Sequence, residues 1–368
     1  MGIVIGSVEF YAGPTVLGAP DDLEAVILEF LAGARKTLSI AVQEIDSRTL
    51  AQAIIDAKAR GVRVRVILEG DYLVEPHALA DPWTAVVGGL EENRVIYAAL
   101  LRAGIDVITD LNPAIFHQKF VVRDEDLDSG AVLTGSTNFT LTDTGKNDGA
   151  DPEVVGNNLN HVVILRGRNA TKQYLAEFER LRSGTFGDLH ERHEERPAEF
   201  KLGDMRVKPL FAPQHGPEME IMKQMLKSHA RIDFAMFTFS QSSGIDDTMD
   251  RLVGPNLSIR GALDHGQGVQ TWAATEPLKA RGVQLYENAA GSGVRKIHHK
   301  LMVIDERLLI AGSFNYTEPA TLLNDENIVV IGDLEEPAGT AADVNQRRLA
   351  GFALAEIDRI ISDLCDPV

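Results

Sequence analysis

Apolar and polar positions along the chain change period repeatedly, and they do so twice in the same order. A helical rhythm begins near Pro20-Asp21-Asp22 and delivers the chain into Ala34–Ile45, where aliphatic and β-branched residues gather as in a buried strand. A second such helix begins near Pro217-Glu218 and delivers His229–Phe239. The next helix–strand pair is Leu50–Arg60 with Gly61–Glu69 in the first half, and Asp246–Leu252 with Leu257–Leu263 in the second. A third pairs Ala98–Ala103 with Gly104–Ile108, and Leu278–Ala280 with Gly282–Tyr286. Gly61, Gly104 and Gly282 fall where a helix stops on a left-handed residue.

This alternation predicts the α/β class, and its recurrence predicts an internal duplication. The stretch Ser183–Asp204 is polar, highly charged and carries Pro197, so it reads as a connector. The expected organisation is a first lobe over 1–184, a linker over 185–204 and a second lobe over 205–368.

Composition narrows the picture. With 368 residues, 44% of them hydrophobic, each half can bury a core without disulfide or metal staples. Cys365 is the sole cysteine, which excludes an intrachain disulfide and a cysteine-built zinc site. No apolar run approaches the ~18 residues of a membrane span. Met1–Glu9 lacks the basic and apolar regions of a secretory leader, so a cytoplasmic protein is expected. Net charge is −18, with −9 over residues 1–184 and −9 over the remainder. A basic coat for nucleic acid is therefore absent, and an anionic substrate must find a local positive site.

The candidate chemistry closes each copy. The first reads Phe116-His117-Gln118-Lys119 through Asp124, then Gly135-Ser136-Thr137-Asn138; the second reads Ile297-His298-His299-Lys300 through Asp305, then Gly312-Ser313-Phe314-Asn315. Both are His-x-Lys-x4-Asp followed by Gly-Ser-x-Asn, and the longer first spacing is absorbed by the loop-like Asp126–Gly130. On a strand, His and Lys two apart share a face. Neutral imidazole is a competent nucleophile near pH 7, and a second imidazole can protonate a leaving oxygen. Lys and Asn donors suit the charge that builds on non-bridging phosphate oxygens. One copy holds a single motif histidine, so a nucleophile–acid pair needs both copies, and a monomer suffices to supply them.

With these motifs the chain resembles the phospholipase D superfamily over nearly its whole length. The resemblance implies two similar lobes, each a mixed β-sheet flanked by helices, related by a pseudo-twofold axis with the site between them. It carries His117, Lys119, Asn138, His298, Lys300 and Asn315 into the catalytic set, with no metal and no cofactor. Asp124 and Asp305 are expected to tie down their strands. Ser136 and Ser313 either line the phosphate site or shape the turn. The family also places an acid downstream of Gly-Ser-x-Asn to orient a histidine. Glu326 fills that place in the second copy, whereas Asn160 stands there in the first, where it is expected to accept a hydrogen bond from His117. That pairing favours His298 as nucleophile; resemblance to other two-lobed members favours His117, which is the assignment adopted.

The implied function is a metal-independent phosphodiesterase working through a phosphohistidine. The look of GSTNFT and GSFNYT points to a nuclease acting on DNA or RNA; the alternative is a phospholipase D or phosphatidyl-transferring enzyme acting on phospholipid, which would need an apolar rim. His299 is expected to turn away from the site, Trp83 and Trp272 to pack, and Arg295 and Lys296 to be either a positive mouth or a solvated pair.

Overall fold

The computed structural model describes residues 1–74, 91–149, 154–190 and 194–368; Trp83 lies outside them. Its strands form two nine-stranded sheets. The first contains β1 (Ile3–Ile5), β2 (Val8–Gly13), β3 (Thr37–Val42), β4 (Arg63–Leu68), β5 (Asp106–Thr109), β6 (Lys119–Arg123), β7 (Ala131–Gly135) and β8 (Asn157–Arg166). The second contains β9 (Phe200–Leu202), β10 (Met205–Ala212), β11 (Arg231–Met236), β12 (Ser258–Leu263) and β13 (Gln284–Asn288). After β14 (Val294–Ile297) come β15 (Lys300–Ile304), β16 (Leu308–Gly312), β17 (Glu326–Ile331) and β18 (Cys365–Pro367).

The strand orders are β1-β2-β8-β7-β6-β3-β4-β5 and β9-β10-β17-β16-β15-β11-β12-β13-β18, so the duplication is visible strand for strand. In each, the three helix-linked strands run parallel and the motif strands antiparallel beside them. The expected mixed sheets in two related lobes are thus present. Gly61, Gly104 and Gly282 all have positive φ at helix ends, as their positions predict. Phe200–Leu202, inside the predicted linker, pairs with β10 as an edge strand. Strand β14 leaves its own lobe and joins the first sheet, parallel to β8.

Two long helices hold the lobes together. Arg168–Arg182 packs on β6, β7 and β10, and Ala341–Arg359 packs on β2, β10 and β16. Phe120, Tyr174 and Phe178 therefore share one core with Phe211, Val303, Leu349 and Ile357 of the other lobe. Fully burying such side chains stabilises by roughly 1.5–3 kcal/mol each. Each sheet covers its outer face with a separate core, one around Ile40 and Val64, the other around Phe234 and Ile259. Among the described residues no helix is long and apolar enough to cross a membrane.

The motif aspartates close both lobes alike. Asp124 accepts the backbone N–H groups of Arg35, Lys36 and Thr37 at 2.7–3.1 Å. Asp305 accepts those of His229, Ala230 and Arg231 at 2.7–2.9 Å. Both take the left-handed conformation, at φ 53° and 52°, which Asp tolerates better than most residues. Each thereby pins the start of its central parallel strand. The glycine of Gly-Ser-x-Asn is equally specific: a Cβ on Gly135 would lie 2.2 Å from the His161 carbonyl oxygen, and one on Gly312 2.3 Å from that of Asn327.

Candidate active site

Both His-x-Lys segments meet at the seam between the lobes, and each is delivered there by an exchange of backbone. Ahead of β6, the chain runs beside Asp325: His117 N–H donates to the Asp325 carbonyl at 2.9 Å, and Asp325 N–H to the Ile115 carbonyl at 3.0 Å. Reciprocally, His298 N–H donates to the Leu159 carbonyl at 3.0 Å, continuing the pairing of β14 with β8. Each histidine therefore sits against a strand of the opposite lobe, just ahead of the strand that begins with its lysine.

The two rings lie 6.4 Å apart between centroids and nearly perpendicular, at 81°. His117 Nδ1–H donates to Glu326 Oε2 at 2.7 Å. His298 Nδ1–H donates to Asn160 Oδ1 at 2.9 Å. This corrects the sequence expectation, which gives Asn160 to His117. The backbone exchange places each lobe's acceptor beside the other lobe's imidazole, so the carboxylate serves His117 and the amide serves His298. With Nδ1–H committed, Nε2 is the nitrogen of each ring left to address the cleft.

Ser136 Oγ–H donates to Asn160 Oδ1 at 2.8 Å and Ser313 Oγ–H to Glu326 Oε2 at 2.6 Å. Both serines are fully buried and neither lines the cleft, so they hold these acceptors in place rather than line a phosphate site. Lys119 Nζ donates to Gln43 Oε1 and to the His117 carbonyl, both at 2.9 Å. Lys300 Nζ donates to the His298 carbonyl at 2.9 Å and lies 5.1 Å over the Phe237 ring. Asn138 and Asn315 line the cleft, and the buried Oδ1 of Asn138 has no partner among the described residues.

Burial dominates the electrostatics. It pushes His117 and His298 well below the usual imidazole value, with Lys119 and Lys300 adding to the effect on His117 and Lys300 and Lys296 on His298. Both rings are accordingly neutral at pH 7, the form a nitrogen nucleophile needs. Burial brings Lys119 down to about 7, against the opposing pull of the Glu326 charge, and drives Lys300 well down too. It raises Glu326 to about 8, against the pull of both lysines. A phosphodiester anion entering between these groups would restore charge to the lysines.

The cleft above the rings encloses about 860 Å³. Glu44, Asp46 and Asp143 face it from the first lobe, Arg295 and Lys296 from the second. Burial lifts Glu44 to about 8 and Asp46 to about 6. Ile115, Leu141 and Trp272 stand on the lining with 43%, 38% and 43% of their surfaces exposed. Packing is the sequence expectation for Trp272; its half-exposed place on the cleft is a correction, because its carbonyl is tied to the Gln241 N–H at 3.0 Å, which holds the residue beside the Ser240 loop that also lines the cleft. His299 is buried away from the cleft, stacked 5.3 Å from His161. Among the described residues no group of three or more His, Cys, Asp or Glu side chains is arranged to hold a metal ion.

Sequence reasoning missed Gln43, Phe237, Glu44, Asp46 and Asp143. The first two follow β3 and β11 at matching positions, at the carboxyl ends of parallel strands where α/β sheets place ligands, so aligning the two copies at strand ends would have found them.

A family profile described as "Cardiolipin synthase, PLD-like domain" matches residues 27–182 and 221–346, which contain both motif sets. The chain belongs to the phospholipase D superfamily. Mitochondrial cardiolipin hydrolase of Xenopus laevis is 30% identical over 155 residues, 42% of this chain and 59% of that protein. Phospholipase D of Rickettsia typhi is 27% identical over 140 residues, 36% of this chain and 63% of that one. The match thus spans about three fifths of these relatives' length. Phosphatidylserine synthase of Haemophilus influenzae superposes over 98% of this chain and 87% of its own, with TM-score 0.65 at 12% identity. That likeness is one of fold, and it covers both phospholipase D lobes.

Proposed function

We propose that this superfamily member cleaves the headgroup phosphodiester of a phospholipid through a phosphohistidine on His117. The observation that carries the choice of substrate is the make-up of the cleft walls. A nucleic acid would bring further phosphates on either side of the scissile one, and they would meet Asp46, Asp143 and Asp148 on one wall. Among the described residues lining the cleft, Arg295 and Lys296 are the ones that add positive charge beyond the two motif lysines, on a chain of net charge −18. A lone phosphodiester with apolar neighbours suits the site better, and Ile115, Leu141 and Trp272 supply the apolar rim that the phospholipid alternative requires. The named relatives include lipid-acting proteins, which agrees with this reading. The sequence expectation of a nuclease accordingly yields to its alternative.

In the reaction, His298, neutral in the free protein, takes up a proton on Nε2 as the phosphodiester anion binds. His117 Nε2 then attacks phosphorus, the phosphorus–oxygen bond to the leaving alcohol breaks, and that oxygen takes the proton from His298 Nε2. The product is phosphatidyl-His117. Water, or an acceptor alcohol, then attacks phosphorus while giving its proton to His298, and the phosphorus–nitrogen bond breaks. Lys119, Lys300, Asn138 and Asn315 stabilise the charge on the non-bridging oxygens. Glu326 stabilises the cationic ring formed at His117.

The test is a parallel assay, with EDTA present, on phosphatidylglycerol and cardiolipin in mixed micelles and on single-stranded DNA, RNA and duplex DNA. Release of phosphatidic acid from either lipid, faster than any nucleic acid is cut, is expected. Faster cleavage of a nucleic acid would overturn the substrate assignment. Activity lost to EDTA and regained with Mg²⁺ or Zn²⁺ would overturn the histidine mechanism.

A further inference from the structure

The two histidines are oriented unequally, and the inequality has a local remedy. His298 is faced by Lys300, Lys296, Lys119 and His117, all of which oppose a positive charge on its ring, and by the Phe237 ring at 5.2 Å. Its direct acceptor, Asn160, brings no charge. Yet Asp143 Oδ2 lies 3.7 Å from His298 Nδ1, buried, and it is the carboxylate within ion-pair range of that ring among the described residues. Asp143 sits five positions after Asn138, in the short helix Leu141–Thr144; the position five after Asn315 is Ala320. The second lobe thus serves His117 with an acid on its strand, and the first lobe holds an acid on the following helix instead.

We infer that Asp143 supplies the negative charge that Asn160 cannot, and so is the positioning residue that lets His298 carry a proton to the leaving oxygen. The inference rests on the phosphohistidine reading above. The surroundings show that the carboxylate is held in place deliberately. Asp143 Oδ2 accepts the Asn138 N–H at 2.7 Å, Oδ1 accepts Asn158 Nδ2–H at 2.5 Å, and Thr140 Oγ1 caps the helix by accepting the Asp143 N–H at 3.2 Å. At 3.7 Å from the ring it acts on His298 through charge, with Asn160 keeping the hydrogen bond.

The variant Asp143→Asn removes that charge and can keep the fold. Asn158 Oδ1 is buried without a partner, so turning the Asn158 amide over presents an acceptor to the new amide nitrogen. The protein would be assayed on two synthetic phosphodiesters, one with an alkyl and one with a p-nitrophenyl leaving group, each across pH. His298 must be protonated in the substrate complex, so kcat falls as pH rises through its titration. Removing the carboxylate lowers the ring's proton affinity, so that fall moves to lower pH. At pH 7 kcat for the alkyl ester drops about 10- to 100-fold, and less for the p-nitrophenyl ester, whose departure needs little protonation. Asn160→Asp, added to Asp143→Asn, restores a charge at hydrogen-bond distance and returns the profile toward wild type. An unmoved profile in Asp143→Asn, equal losses on both esters, or no recovery in the double variant would overturn the inference. A wild-type protein that hydrolyses neither ester would instead defeat the phosphohistidine reading itself.

Discussion

His117 and Glu326 meet at 2.7 Å across the seam between the lobes, although 209 positions separate them in the chain. In the proposed mechanism the contact fixes the tautomer of His117 and places Glu326 to offset the charge that the ring acquires on attack. Glu326→Gln keeps an acceptor but removes the charge, and it should slow formation of the covalent intermediate by about 10²- to 10⁴-fold. Pre-steady-state release of p-nitrophenol measures that step directly. A rate within a few fold of wild type would mean the pair serves only packing.

Division of labour between the rings predicts different failures. His298→Ala should still release a burst of p-nitrophenol and accumulate phosphate on His117, because a good leaving group hardly needs an acid. His117→Ala should show no burst. Peptide mapping of the trapped adduct decides the matter, and phosphohistidine found at His298 would reverse the assignment.

Anion binding should depend on pH through Lys119. Burial holds this ammonium at about 7, so the free protein loses its charge as pH rises through that value, whereas a bound anion favours the charged form. The affinity for sulfate, which does not itself titrate here, should therefore fall above pH 7, approaching about tenfold per unit. Lys119→Arg keeps its charge and should flatten the dependence. Calorimetric titration at several pH values reads both.

Stability should respond to the motif aspartates unequally. Asp124→Ala strands three backbone N–H groups that are partly or fully buried, whereas those on Asp305 are more exposed to water. A cost of about 3 kcal/mol is expected for Asp124→Ala and about 1 kcal/mol for Asp305→Ala, from the penalty of unsatisfied donors. Urea unfolding compares them, and a larger loss at Asp305 would contradict the ranking.

Much of this was legible in the sequence because the duplication repeats both a hydrophobic rhythm and a motif. The helix–strand pairs, the glycine stops and the pairing of His117 with His298 across two lobes all follow from local pattern. The partner of each histidine did not. Sequence order suggests that Asn160 serves the histidine of its own copy, and only the backbone exchange at Asp325 and Leu159 assigns it to the other. Asp143 was hidden differently. Its role depends on a 3.7 Å approach from a four-residue helix, and no periodicity announces that.

The backbone exchange also bears on how such a site can diverge. In a dimer of two identical lobes, any substitution at the acceptor position would strike both imidazoles at once, so neither ring could specialise without harming its twin. Joining the lobes in one chain frees the two positions to drift apart: Glu326 and Asn160 occupy matching strands, yet a change at either reaches a single ring. Covalent linkage turns a symmetric pair of bases into two addresses that mutation can edit separately.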